Sequence, residues 1–241
     1  MEYFSIYPAN DFTAFSISHL FVLLLLCVGI LFLYLFRGSF QHAASKDKIR
    51  IGMAILLLLS EVVLQAWRTK NGIWSLQSSL PLHLCSMAII LCPIMLITKK
   101  YSLYEILFFW GIGGTTQAIL TPDLWYGFPH FIFFQYFAAH SLIVVACLWM
   151  TLVEKFRPTF KSIGKTFIAT NLYAGFVFVI NLAVGSNYLY IMQKPGKATI
   201  FDYLMPWPWY LLQMEIILLI ICLLCYLPFI IIDNRREKFT N

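Results

Sequence analysis

Seven long apolar runs, separated by short segments that carry most of the charge, constrain this chain more than any other feature. Inside a bilayer every backbone N–H and C=O must find a partner within the protein, so such runs close into helices or into a sealed barrel. A spanning strand needs only about ten residues and alternates apolar with polar, whereas a spanning helix needs about twenty that are mostly apolar. The runs are of the second kind. They extend from His19 to Phe36, Ile51 to Trp67, Leu82 to Ile97, Tyr104 to Leu120, Phe131 to Leu152, Phe167 to Ser186 and Trp209 to Ile232. The third is short and contains Pro93, a kink that neighbouring helices can satisfy. The expected fold is an all-α integral membrane protein, a bundle of seven transmembrane helices. Seven helices of about twenty residues use about 140 residues, which leaves connections too short for a soluble domain. Residues 1–241 therefore read as a single polytopic domain, without internal repeats. At 12% charged and 61% hydrophobic residues the chain departs far from a soluble domain, where about a quarter of residues are charged.

The formal charge of +6 reads as topology rather than as a nucleic-acid surface. Arg37, Lys46, Lys48 and Arg50, then Lys99 and Lys100, then Lys155, Arg157, Lys161 and Lys165, then Arg235, Arg236 and Lys238 fall on one face of a seven-helix arrangement. Arg68, Lys70, Lys194 and Lys197 fall on the other. Thirteen against four puts the N-terminus outside and the C-terminus in the cytoplasm. Glu2 and Asp11, with no Lys or Arg, precede the first run, which therefore lacks the basic start of a cleaved signal and is expected to be retained. Gly111, Gly113, Gly114 and Thr115 give the fourth run a small-residue surface that admits another helix closely and makes it central. The aromatic stretch from Pro206 to Tyr210 reads as an interfacial anchor, and Pro228 as a kink in the last helix.

In that topology most polar side chains within the runs gather in the outer half. Glu61 and Gln65 end the second run, His83 and Cys85 begin the third, and Gln117 and Thr121 end the fourth. His130, Gln135 and His140 descend from the start of the fifth, Asn181 and Asn187 end the sixth, and Gln213 and Glu215 enter with the seventh. Ionisable groups at such depth face a bundle interior or a wet cavity, so a polar cavity in the outer half is expected, above an apolar inner half. For His19, His130, Gln65 and Asn187 the simpler reading is an anchor at a helix end, satisfied by water or headgroups. His140 lies nine residues into its run, about 13 Å from the start, where an imidazole needs a partner; Gln117 or a backbone carbonyl would serve a purely structural histidine.

Cys27, Cys92, Cys147, Cys222 and Cys225 lie in apolar surroundings and read as small hydrophobes. Cys222 and Cys225 have the spacing of half a zinc site but no second pair of ligands, so no metal is expected. Cys85 differs: it follows Pro81 and His83 at the start of a helix, where backbone N–H groups favour an anionic sulfur and solvent can reach it. His83, two residues away, would point about 200° from Cys85 on a regular helix and is a poor base for it. The constellation expected is Cys85 as nucleophile and His140 as general base. Gln117, Thr121 or Glu215 would orient the imidazole or stabilise an oxyanion, with His83 and His130 completing the supporting set.

The stretch Leu80-Pro81-Leu82-His83-Leu84-Cys85, the run from Gly111 to Asp123 and the run from Phe128 to Ser141 resemble the YwaF-type bacterial integral membrane proteins. These are similar in turn to the transmembrane-protein-164 acyltransferases. The resemblance implies transfer of a fatty acyl chain from a phospholipid donor to a lysophospholipid acceptor without acyl-CoA. It also implies a cysteine near the start of one helix and a histidine on a later one, matched here by Cys85 and His140. No soluble cofactor is implied, and the location implied is a bacterial plasma membrane. Hydrolysis of the same lipid is the neighbouring chemistry. Two other readings stay open: a transporter or channel component binding a solute through its outer-facing His, Gln and Glu groups, and a non-catalytic accessory membrane protein. The sequence gives no sign of oligomeric state.

Overall fold

Most of each apolar run is helical, and the first, second and last helices continue past their runs into charged residues. A computed structural model describes residues 2–196 and 200–240. Its helices are α1 (Ile17–His42), α2 (Lys46–Lys70), α3 (Leu84–Thr98), α4 (Tyr101–Phe109), α5 (Thr115–Leu120), α6 (Phe131–Leu152), α7 (Phe160–Val184) and α8 (Trp209–Thr240). Among the described residues there is no strand, only a single bridge between Asp11 and Tyr126. Five helices, α1, α2, α6, α7 and α8 to Asp233, are long and apolar enough to cross a bilayer. The chain is an integral membrane protein.

The other two runs depart from simple spans. α3 has 15 residues, Pro93 included, and stops at Lys99, whose left-handed backbone lets its N–H close on the Met95 carbonyl. The fourth run is not one regular helix as expected. α4 passes through a π-helical turn, Trp110–Gly114, before resuming as α5. Within that turn the Thr115 N–H reaches the Trp110 carbonyl five residues back, so one residue more than a regular turn is accommodated.

α6 lies at the centre, with half of its apolar window buried, against α1, α2, α3 and the α4–α5 rod. The core joins Cys92, Met95 and Leu96 of α3, Leu107 of α4, and Ile143 and Cys147 of α6. The fourth run is central too, for the reason its glycines suggest. A Cβ on Gly111 would sit 2.5 Å from Cys147 Sγ and 3.2 Å from Ile143 Cγ2, and one on Gly113 would collide with Ile221 of α8. Gly114 has open space at that position. Gly111→Ala is expected to cost about 1–3 kcal/mol through overpacking, read as a lower thermal midpoint in detergent; an unchanged midpoint would show that α6 yields freely.

The far end of the bundle is not the plain apolar region predicted. Glu105 of α4, 2% exposed, accepts from Ser162 Oγ at 2.7 Å and Lys165 Nζ at 2.6 Å, pinning α4 to α7. Glu154, in the α6–α7 connection, gathers Lys46 and Lys99 at 3.1 Å and Arg50 at 3.7 Å. These acids are stable there because each has cations or hydroxyls to replace water. Lys197, one of the four basic residues counted at the opposite end, lies outside the described residues.

Candidate active site

Near the other end of the bundle a cavity of about 520 Å³ opens between α2, α3, α5 and α6, with Asp123 to Tyr126, Leu189, Tyr190, Pro195 and Phe201 also lining it. Cys85 and His140 both line it. Cys85 is the second residue of α3, half-buried, its reduced thiol facing the cavity. Thr115, at the start of α5, holds its hydroxyl 3.8 Å from Cys85 Sγ and 3.3 Å from the Trp110 carbonyl, so its single proton can serve either acceptor.

His140 is oriented by its own helix. Its Nδ1 lies 2.7 Å from the Tyr136 carbonyl, one turn back on α6. A carbonyl only accepts, so Nδ1 carries the proton and Nε2 is left with the ring's lone pair. The Tyr136 ring stacks on the imidazole at 4.0 Å, and its hydroxyl donates to the Ala118 carbonyl at 3.0 Å. Thus neither Gln117, Thr121 nor Glu215 orients His140, contrary to expectation. A backbone carbonyl four residues away is the nearer partner.

The remaining predicted residues divide. Gln117 and Thr121 line the cavity and bond to each other, Gln117 Nε2 donating to Thr121 Oγ1 at 2.7 Å. His83 also lines it, because it precedes α3 rather than lying within it, and the helical 200° separation from Cys85 does not apply. Its Nδ1 accepts from the Leu189 N–H at 3.4 Å, and Tyr190 packs 5.0 Å from its ring. Glu215 is absent from the lining. It accepts from Asn171 Nδ2 at 2.9 Å across α7 and α8, while its neighbour Met214 faces the cavity.

His130 is a clamp rather than a cavity residue. Its Nδ1 accepts from the Ile132 N–H at the start of α6, and its Nε2 donates to the Ser5 carbonyl at 2.9 Å. Burial holds its pKa below the usual imidazole range, as the acceptor role of Nδ1 requires. It thereby ties down an N-terminal strap that also meets the Trp67 indole, the Tyr126 hydroxyl and the Gly127 N–H. His19, expected to be satisfied by water, is fully buried instead, bonded to the Ile119 carbonyl and the Phe15 N–H.

The lining also holds Arg68, Asp123, Tyr136 and Tyr190, which sequence reasoning did not single out as site residues. Tyr136 was within reach of the i, i+4 rule from His140. Tyr190 donates to Asp123 Oδ2 at 2.5 Å, and its own carbonyl accepts from the Tyr210 hydroxyl. Burial and the Asp123 carboxylate hold its phenol well above the usual range, so it stays a donor. Among the described residues no group of three or more His, Cys, Asp or Glu is arranged to hold a metal ion.

The model of the TMEM164 family matches residues 14–226, nearly the whole chain and all of the cavity. The chain belongs to that family. Cys85 and His140 both fall within the matched residues, and both line the cavity. The chain is also 27% identical over 186 residues to an uncharacterized protein of Treponema pallidum (strain Nichols), covering 77% of this chain and 76% of that one. No solved structure matches it.

Proposed function

We propose that this TMEM164-family protein is a membrane acyltransferase that moves a fatty acyl chain between lipids through a thioester on Cys85. The observation that carries the reading is a single cavity lined by a half-buried thiol and by an imidazole whose Nε2 is its proton-accepting nitrogen. In the first half-reaction His140 Nε2 takes the Cys85 proton and the sulfur attacks the ester carbonyl of a phospholipid. The thioester forms, the ester C–O bond breaks, and the departing lysolipid oxygen takes the proton back from Nε2. In the second, Nε2 accepts the proton of a lysophospholipid hydroxyl, whose oxygen attacks the thioester, and the thiol is restored. Gln117, Thr121 and the first-turn N–H groups of α3 are the donors suited to the oxyanion.

The protein acts in this reading as one polytopic domain of seven spans, with α3 and the α4–α5 rod completing the five long helices. The convergence of Lys46, Arg50 and Lys99 on Glu154, away from the cavity, supports a cytoplasmic location for that end and an outward-facing cavity. The bacterial relative supports a bacterial plasma membrane.

The test is lipid mass spectrometry on purified protein given a diacyl phospholipid with a labelled chain together with an unlabelled lysophospholipid. Label is expected in the second lipid, with a hydroxylamine-sensitive acyl adduct on Cys85 when the acceptor is withheld. Label only in free fatty acid would make the protein a hydrolase, and no turnover across several headgroups, from folded protein, would overturn the reading.

A further inference from the structure

Among the described residues lining the cavity only one is a Lys or Arg, and it is Arg68, half-buried in the last turn of α2. A guanidinium carries five N–H donors. The structure gives this one a single hydrogen bond, from Nη1 to the Ser79 carbonyl at 3.4 Å, and that carbonyl is better served by Gln65 Nε2 at 2.9 Å. Two carboxylates line the same cavity, yet neither pairs with Arg68 within 4.0 Å. Glu61 accepts from Gln65 Nε2 at 2.7 Å, and Asp123 from the Tyr190 hydroxyl. A basic residue in a last turn also complements the helix dipole, but the exposed Lys70 meets that need without entering the cavity. A partly desolvated guanidinium with most donors unused is costly, and its planar fork matches an oxyanion.

We propose that Arg68 binds the phosphodiester of a glycerophospholipid, with an acyl chain lying along the apolar wall formed by Leu64, Leu84, Ile89, Ala118 and Ile132. A free phosphate would meet the same donors, but it would leave that wall unused. The inference gives the acyl-exchange reading its headgroup contact and rests on it for the fate of the lipid, though not for its binding.

The experiment is equilibrium binding by native mass spectrometry on the full chain carrying Cys85→Ala, so that turnover does not enter the readout. The probes are dioctanoyl phosphatidylglycerol, whose headgroup adds no cation for Glu61 or Asp123 to hold, dioctanoylglycerol, and inorganic phosphate. Adding Arg68→Gln is expected to weaken phosphatidylglycerol binding about 10- to 100-fold, the worth of a charged hydrogen-bonded contact, and to leave dioctanoylglycerol unchanged. Arg68→Lys, a point charge without the fork, is expected to keep part of the preference. Undiminished phosphatidylglycerol binding in Arg68→Gln overturns the proposal. So does displacement of phosphatidylglycerol by equimolar inorganic phosphate, which would make this a site for the free ion. If Arg68→Gln loses both lipids together, Arg68→Lys decides: a retained preference for phosphatidylglycerol supports the proposal and its absence overturns it. A chain that binds phosphatidylglycerol through Arg68 but transfers no acyl group overturns the acyl-exchange reading alone.

Discussion

Replacing Cys85 by alanine is expected to abolish acyl exchange, a loss of at least about a thousandfold, because among the described residues lining the cavity no other can carry the acyl chain as a thioester. Cys85→Ser is expected to fall nearly as far, since a hydroxyl loses its proton far less readily than a thiol. Neither change should disturb the bundle. The side chain is small and half-buried, and Thr115, which hydrogen-bonds to it, keeps the Trp110 carbonyl as an alternative acceptor. Exchange rate and thermal midpoint, measured on the same preparations, separate the two effects. Wild-type exchange in Cys85→Ala would leave the thiol with no part in the chemistry.

The second large effect is expected at His140. A positioned general base contributes about 100- to 10,000-fold, so His140→Ala should slow exchange within that range. It should also slow acylation of Cys85 when the acceptor is withheld, because the same nitrogen serves both half-reactions. Added imidazole should restore part of the rate in the vacated space beside Tyr136, a rescue that a merely structural histidine would not show. Unchanged exchange in His140→Ala, or a loss confined to thermal stability, would remove it from the mechanism.

What the sequence made legible follows from which forces act locally. The apolar runs announce helices because lipid offers the backbone no other partner, and even the Gly111 and Gly113 contacts follow from the absence of side chains there. Cys85 and His140 stood out through depth and position, which are properties of single residues. Glu105 did not, because Ser162 and Lys165, the partners that make its burial tolerable, lie 57 and 60 residues further on. Arg68 enters the sequence reading only through the charge count, and Tyr190 falls between the sixth and seventh runs, since only tertiary folding brings them to the cavity. His130 was misread for a similar reason: its decisive partner, Ser5, lies 125 residues earlier. Glu215 shared a helix turn with a true lining residue, Met214, and one position decided between them.

The π-helical turn at Trp110–Gly114 makes the fourth run a splice of two rotational phases. Up to Gly113 the rod is phased for packing, and past it for presentation, with Gly114, Gln117, Ala118 and Thr121 turned to the cavity. Each residue of a helix advances about 100°, so the extra one swings everything downstream by more than a quarter turn. Deletion of a single glycine there would keep every hydrophobic count intact and yet retune which side chains the lipid meets. A lineage could therefore change the cavity's lining by insertion or deletion alone, without substituting any residue that touches it.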